Sequence, residues 1–328
     1  MAGLRQLWYV VGLTVSLGLV AEIAATLGSL SAGNPLGENV AVAKLHRGEV
    51  PPEGAERKTG TLWTAWWPVH FNEVIHDGQR FVAVGDGGAV LTSPDGASWT
   101  RWESGTDRHL FGLAHGKGLF VAVGRRGAVL TSKDGKVWAK RDLGVPDWLH
   151  SVAYGEGRFV VVGQSGALFL SEDGLRWVRR DPGTRADLRG VAHGKGLFVA
   201  VGRSGTLLTS PDGARWTPRE SRTLAHLNAV TYGNGLFVAV GEDGTVLTSS
   251  DGVNWDPPSQ EAKADLNAVT YGNGLFVAVG NGGTVLTSRN GQVWREVEAP
   301  THFDLQGVAH GGGRFVAVGD AGTALTSP

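Results

Sequence analysis

The string Phe-Val-Ala-Val-Gly, or a close relative of it, begins at Phe81, Phe120, Phe159, Phe198, Phe237, Phe276 and Phe315, always 39 residues after the copy before. A constant interval without one insertion marks a repeat array in which each unit buries its faces against its neighbours. The fifth copy shows the unit clearly. Residues 226–233 (HLNAVTYG) are apolar and β-prone. A short turn separates them from the almost continuous apolar run 236–241 (LFVAVG), the pattern of a strand covered on both faces. Glu242-Asp243 makes a short hairpin loop, and 245–250 (TVLTSS) is a third strand. Asp251-Gly252 turns the chain, and Val253-Asn254-Trp255 opens a fourth, more polar strand. Four short antiparallel strands per ~40 residues make one blade of a β-propeller.

The expected fold is therefore all-β, a seven-bladed β-propeller with four antiparallel strands per blade. The last copy reaches Pro328 after its third strand, and residues 61–69 (TLWTAWWPV) read as a lone fourth strand. Pairing the two closes the last blade with an N-terminal strand and removes the exposed sheet edge of an open array.

Residues before the array have a different character. Arg5 is followed by an uncharged, mostly apolar run from Leu7 to Ala21, then Glu22, then a second uncharged stretch to Asn34. One basic residue, an apolar core and the small-residue end Ser29-Leu30-Ser31 fit a secretory signal peptide. Residues 7–30 read as one span are long enough to anchor the chain in a bilayer, with Glu22 inside. Residues 1–32 are thus a signal peptide or a signal-anchor helix, residues 33–60 (with Pro51-Pro52) a polar linker, and residues 61–328 the propeller. Both N-terminal readings export the propeller to a periplasmic or extracellular location, and the longer one leaves it held at the inner membrane.

Other features narrow the chemistry. The chain has 51 glycines and no cysteine, which fits many tight turns and excludes disulfides, thiol catalysis and thiolate metal sites. Net charge is −1, so nothing global points to nucleic acid. The turn between third and fourth strands carries S-x-D-G-x-x-W. Its pairs are Asp95 with Trp99, Asp134 with Trp138, Asp173 with Trp177, Asp212 with Trp216, and Asp251 with Trp255; the sixth copy has Asn290 with Trp294. Such an Asp or Asn can accept backbone N–H bonds in its own turn, and Gly supplies the positive φ. The Trp is expected to pack between blades. The alternating oxygen ligands of a calcium loop are missing, so these positions read as structural.

The motif resembles the Asp-box (BNR) of sialidase-like propellers, one residue shorter than the usual form. With the FVAVG strands, residues 61–328 resemble the bacterial photosystem II stability/assembly factor-like propellers. That resemblance implies the propeller fold and allows a role as an assembly factor for a membrane complex. The sialidase arginine motif F/Y-R-I-P has no counterpart here. Tyr154, Tyr232 and Tyr271 share one repeat slot with His76, His115, His193 and His310, which favours packing over catalysis at that slot. No catalytic residue, cofactor or metal ligand is assigned. Three imidazoles on consecutive blades, His310, His76 and His115, are the one zinc arrangement the slot would allow.

Departure from the repeat is the remaining guide to function. The loop between second and third strands varies, as does the connection from each fourth strand to the next first strand. Both sets emerge on one face of the blade, opposite the S-x-D-G-x-x-W turns, and loops on a rigid scaffold carry specificity. The third position of each first segment varies too: Asn72, Phe111, His150, Arg189, Asn228, Asn267 and Gln306. Blades two to four bring Arg125, Arg126, Arg189 and Arg203 together with Phe111, Trp148 and His150, and these are the candidate binding residues. Arginine beside aromatic side chains suits carboxylates and protein partners. Blades five to seven and one contribute Glu242, Asp243, Asp320 and Asp86, so the face is expected to be electrically two-sided. The leading expectation is a monomeric, non-catalytic, exported interaction scaffold with a membrane-associated protein partner and no nucleic-acid role. The alternative is a carbohydrate-binding or divergent sialidase-like glycosidase propeller. A glycosidase needs two carboxyl groups ~5–10 Å apart, and no such pair stands out.

Overall fold

A computed structural model describes residues 69–256 and 263–327 and contains seven antiparallel sheets, one per repeat. The blades occupy residues 71–102, 110–140, 149–179, 188–218, 227–249, 266–297 and 305–326, and are numbered 1 to 7 in that order. In blade 2 the strands are Leu110–Gly116, Leu119–Gly124, Val129–Ser132 and Ala139–Lys140, and they lie in chain order across the sheet. The first strand of each blade is innermost and packs beside the first strands of both neighbouring blades, blade 7 against blade 1 included. The outer strand begins after the tryptophan rather than before it and spans only two or three residues; in blade 5 it shrinks to the single bridge between Thr248 and Asp256. Blade 7 shows three strands among the described residues, with the Val69 carbonyl accepting the Gly322 N–H at 2.8 Å. The rest of the expected closing strand 61–69, the expected export segment 1–32 and the linker 33–60 lie outside the described residues.

The repeat encodes this ring through alternation. Phe237 and Ala239 join the apolar cluster shared with blade 4, whereas Val238 and Val240 join the one shared with blade 6. The second strand is thus buried on both faces, which is why its run is apolar throughout. Seven such clusters fill the seven interfaces between blades.

The recurrent glycines are required mainly by space. Gly241, at φ −166°, has an extended backbone open to any residue. A Cβ there would overlap the His226 carbonyl oxygen, which accepts the Glu242 N–H at 2.9 Å. The slot shared by histidine and tyrosine is explained the same way. A Cβ on Gly116 would fall inside the Tyr154 ring, one on Gly194 inside the Tyr232 ring, and one on Gly311 inside the His76 ring. Each of these rings is seated on a glycine of the preceding blade and tilts against its own blade's phenylalanine, as Tyr154 does against Phe159 with centroids 4.8 Å apart. Among the described residues no group of three or more His, Cys, Asp or Glu side chains could hold a metal ion.

The S-x-D-G-x-x-W turns share one set of bonds. In blade 5 the Ser249 hydroxyl donates to Asp251 Oδ1 at 3.0 Å, and the N–H groups of Val253 and Asn254 donate to the same oxygen at 2.8 Å. The Trp255 ring N–H donates to the Gly252 carbonyl at 2.9 Å, and the ring itself joins the cluster shared with blade 4. Asn290 accepts the corresponding two N–H bonds at 3.0 Å, so the turn does not depend on charge. A cation from the preceding blade caps five of the turns: Arg80, Lys117, Arg158, Lys195 and Arg314 each donate to a turn carbonyl.

These bonds have a pH consequence. Donated N–H bonds, the backbone ones first, hold the carboxyl of Asp212 down at about 2 and that of Asp173 lower still. For Asp251 the backbone and side-chain N–H groups of Asn254 lead the same downward shift. A depressed folded-state pKa contributes stability that is present above the unfolded value near 4 and is lost as pH falls through the folded value. Unfolding followed by circular dichroism should therefore show an acid limb between about pH 4 and 2. Asp251→Asn should keep the fold at pH 7, as Asn290 already does, and should flatten that limb. A limb unaltered by Asp251→Asn and by Asp173→Asn would show that the turns are not its source.

Candidate functional site

The variable face carries a structural device that the sequence pattern alone did not show. In every blade the register between first and second strands slips by one residue, and the slip falls at Asn72, Phe111, His150, Arg189, Asn228, Asn267 and Gln306. The third-position variation is therefore variation at a β-bulge, which turns an extra side chain out of the ladder. All seven residues are half-buried.

Three of the seven do the same structural work. The Nδ2 groups of Asn72, Asn228 and Asn267 donate to the carbonyls of Leu110, Leu266 and Leu305 on the following blade, at 2.9, 2.9 and 3.0 Å. Blades 2, 3, 4 and 7 depart from this pattern. In blade 7 Gln306 turns to Asp320 of its own loop at 3.5 Å, whereas blades 2 to 4 gather aromatic and guanidinium groups. Phe111 stacks against Trp148 with centroids 5.8 Å apart and lies 6.0 Å from His150. The Arg125 guanidinium sits 4.8 Å over the Trp148 ring, and its Nε is buried with no hydrogen-bond partner among the described residues. Arg189 donates to the Asn228 amide oxygen at 2.6 Å, and Arg203 pairs with Asp187 at 3.3 Å. Burial is the largest effect on His150 and lowers its pKa; Asp187 opposes this, while Arg189 and Arg203 add to it. Burial, then Arg203, also lowers the pKa of Arg189. The result is an aromatic cluster edged by guanidinium groups, with Trp148 still 37 % exposed.

The candidate residues are not all equally placed. Phe111, Arg125, Trp148 and His150 form one cluster, and Arg189 and Arg203 act on His150 from blade 4. Arg126 stands apart as the exposed second residue of its loop, at φ +55°, and its carbonyl accepts a bond from Arg108 at 3.2 Å. The expected electrical division is softened on its acidic side. Asp86 pairs with His109 at 2.6 Å, Asp320 with His70 at 3.0 Å and Glu242 with His226 at 3.6 Å.

Those histidines reveal a role shared by a position of which only Trp148 was a candidate from the sequence. The residue just before each first strand reaches back to the loop of the preceding blade. Asp187, Asp265 and Asp304 accept the N–H groups of Ser165, Asp243 and Gly282 at 2.7, 2.9 and 2.8 Å, and His226 accepts that of Ser204 at 3.1 Å. Much of the variable rim is thus committed to joining blades, and Trp148 occupies the same position with its ring left for Arg125 and Phe111.

No family model matches the chain, and no curated protein does. Solved structures do. YCF48 bound to D1 peptide is 17 % identical with a TM-score of 0.64, covering 83 % of this chain and 96 % of its own. YCF48 from Cyanidioschyzon merolae is also 17 % identical, with a TM-score of 0.64 and coverages of 82 % and 98 %. The WD40 β-propeller domain of Doa1 is 13 % identical, with a TM-score of 0.65 and coverages of 82 % and 95 %. At these identities the likeness is one of fold.

Proposed function

We propose that this propeller is a non-catalytic scaffold that binds an extended segment of a protein partner at the rim of blades 2 to 4. The supporting observation is the loss of the bridging asparagine in those blades. Where blades 1, 5 and 6 spend the bulge side chain on a bond to the next blade, blades 2 and 3 present Phe111 and His150 to the rim. An aromatic cluster edged by arginine suits a segment with a carboxylate beside an apolar or aromatic residue. YCF48, a propeller of similar fold, is solved with a D1 peptide bound. The apolar residues 7–30 favour an extracytoplasmic protein whose partner is membrane-associated, and the resemblance to photosystem II assembly factor-like propellers extends this to an assembly role for a membrane complex.

Selection from a random peptide library on the immobilised full-length chain tests the reading. Recovered peptides should carry Asp or Glu next to an apolar or aromatic residue. Joint reversal of Arg125→Glu and Arg203→Glu should weaken their binding at least about tenfold, roughly 1.4 kcal/mol. Recovered peptides that bind the reversed variant equally well would refute this site.

A further inference from the structure

One residue breaks the repeat where the rim cluster gives no reason for it. The position after each bulge is Gly112, Ser151, Gly190, Ala229, Ala268 or Gly307 in blades 2 to 7, but Glu73 in blade 1. Small residues suit this place because the next blade is close: a Cβ on Gly112 or Gly190 would press on the backbone of the following innermost strand. A glutamate needs that contact loosened.

The Glu73 carboxyl faces the axis. At the hairpin end of the first strand of blade 1, the Asp77 N–H donates to the Arg80 carbonyl at 3.1 Å. Counting back along the register, Val74 opposite Ala83 falls in a pair that is not hydrogen-bonded. The Val74 N–H therefore points off the free inner edge of the sheet, where it donates to Glu73 Oε1 at 2.9 Å. Glu73 is half-buried and keeps solvent-accessible surface. Its carboxyl thus lies on the inner edge of the sheet, beside the axis of the ring.

No described residue balances this carboxyl. The Val74 N–H is its one hydrogen bond among the described residues, and no cation acts on it; burial pushes its pKa up to about 8 despite that bond. On the flanking innermost strands, His76, His115 and His310 stand at the far end, and at the near end His70 and His109 are paired with Asp320 and Asp86. None of these groups contributes to the Glu73 shift.

The geometry points to a second binding site: the axial channel beside blade 1 receives the protonated amine or guanidinium of a lysine- or arginine-type chain, with Glu73 as its counter-charge. A slim, flexible stem carries its charge at the tip and can reach a carboxyl set inside the ring. Asp86 and Asp320 lie on the rim above it, so the sign of the approach is right. A compact metal ion would find a single carboxylate there, and among the described residues no group of three possible ligands exists. The site shares no residue with the Phe111–Trp148 cluster, so either can fail alone.

Carboxyl 13C resonances of glutamate-labelled full-length chain test this, with Glu73 assigned by its loss in Glu73→Gln. Butylguanidinium chloride is the probe, with n-butanol and equal ionic strength of sodium chloride as blanks. The free midpoint of Glu73 is expected near 8, and butylguanidinium should lower it by about one pH unit or more where the blanks do not. Apparent affinity should be roughly tenfold higher at pH 9 than at pH 7, because the free carboxyl must lose its proton to bind. Glu73→Gln should fold and abolish the probe's binding. A free midpoint in the ordinary glutamate range, or one that butylguanidinium leaves in place, overturns the proposal.

Discussion

Alanine at Gly241 is expected to lower the free energy of unfolding by about 3 kcal/mol or more, a large share of the ~5–15 kcal/mol that holds an ordinary domain together. The effect comes from space alone. At φ −166° the backbone of Gly241 suits any residue, so the substitution carries no conformational strain. Its methyl group would instead occupy the position of the His226 carbonyl oxygen. That oxygen cannot move aside cheaply, because it accepts the Glu242 N–H and fixes the start of the blade's first strand. A useful contrast is Gly274, at φ +75° with nothing within 4 Å of an added Cβ. Alanine there meets only the cost of left-handed backbone, about 1–2 kcal/mol. Urea unfolding of the two variants separates the causes, and a Gly241→Ala variant no less stable than Gly274→Ala would show that the backbone approach is not tight.

The seven glycines that end the FVAVG strands can be counted in the sequence, but the reason for them cannot. A glycine without a turn reads as conformational freedom, whereas here it clears room for a carbonyl fifteen residues earlier, as between His226 and Gly241. Blade number, strand order and the double burial of Phe237–Val240 were legible, because all three follow from a 39-residue period with an apolar run inside it. The start of the outer strand was not, since Val253 and Asn254 are drawn into the turn by bonds to Asp251.

The rim was half legible. Variation at Phe111, His150 and Arg189 was visible, but the bulge that turns those side chains outward depends on register, which a single strand's pattern does not contain. The joins between blades were hidden because they fall off the period: Ser165 meets Asp187 after 22 residues, not 39. Glu73 could have been found by comparing one column of the repeat, where six small residues stand against one acid.

The second large effect concerns binding. Asparagine at positions 111 and 150 restores the residue that Asn72, Asn228 and Asn267 hold in blades 1, 5 and 6. Each new side chain is placed to donate to the next blade, to the carbonyls of Leu149 and Leu188, as Asn72 does to Leu110. A bond of that kind contributes about 0.5–1.5 kcal/mol, which offsets the lost Phe111 stacking. Removing a central aromatic anchor from a binding surface costs about 2 kcal/mol or more, some thirtyfold in affinity. Fold and function should therefore move in different directions, as when a binding site has been built at the expense of a stabilising contact.

The decisive measurement is a paired one on the full-length double variant Phe111→Asn, His150→Asn: its thermal unfolding, and its affinity for the peptides recovered on the unaltered chain. A rim built for a partner gives a melting temperature held or raised together with at least about a tenfold loss of affinity. Affinity that survives the double variant with its melting intact would place the binding surface somewhere other than blades 2 to 4.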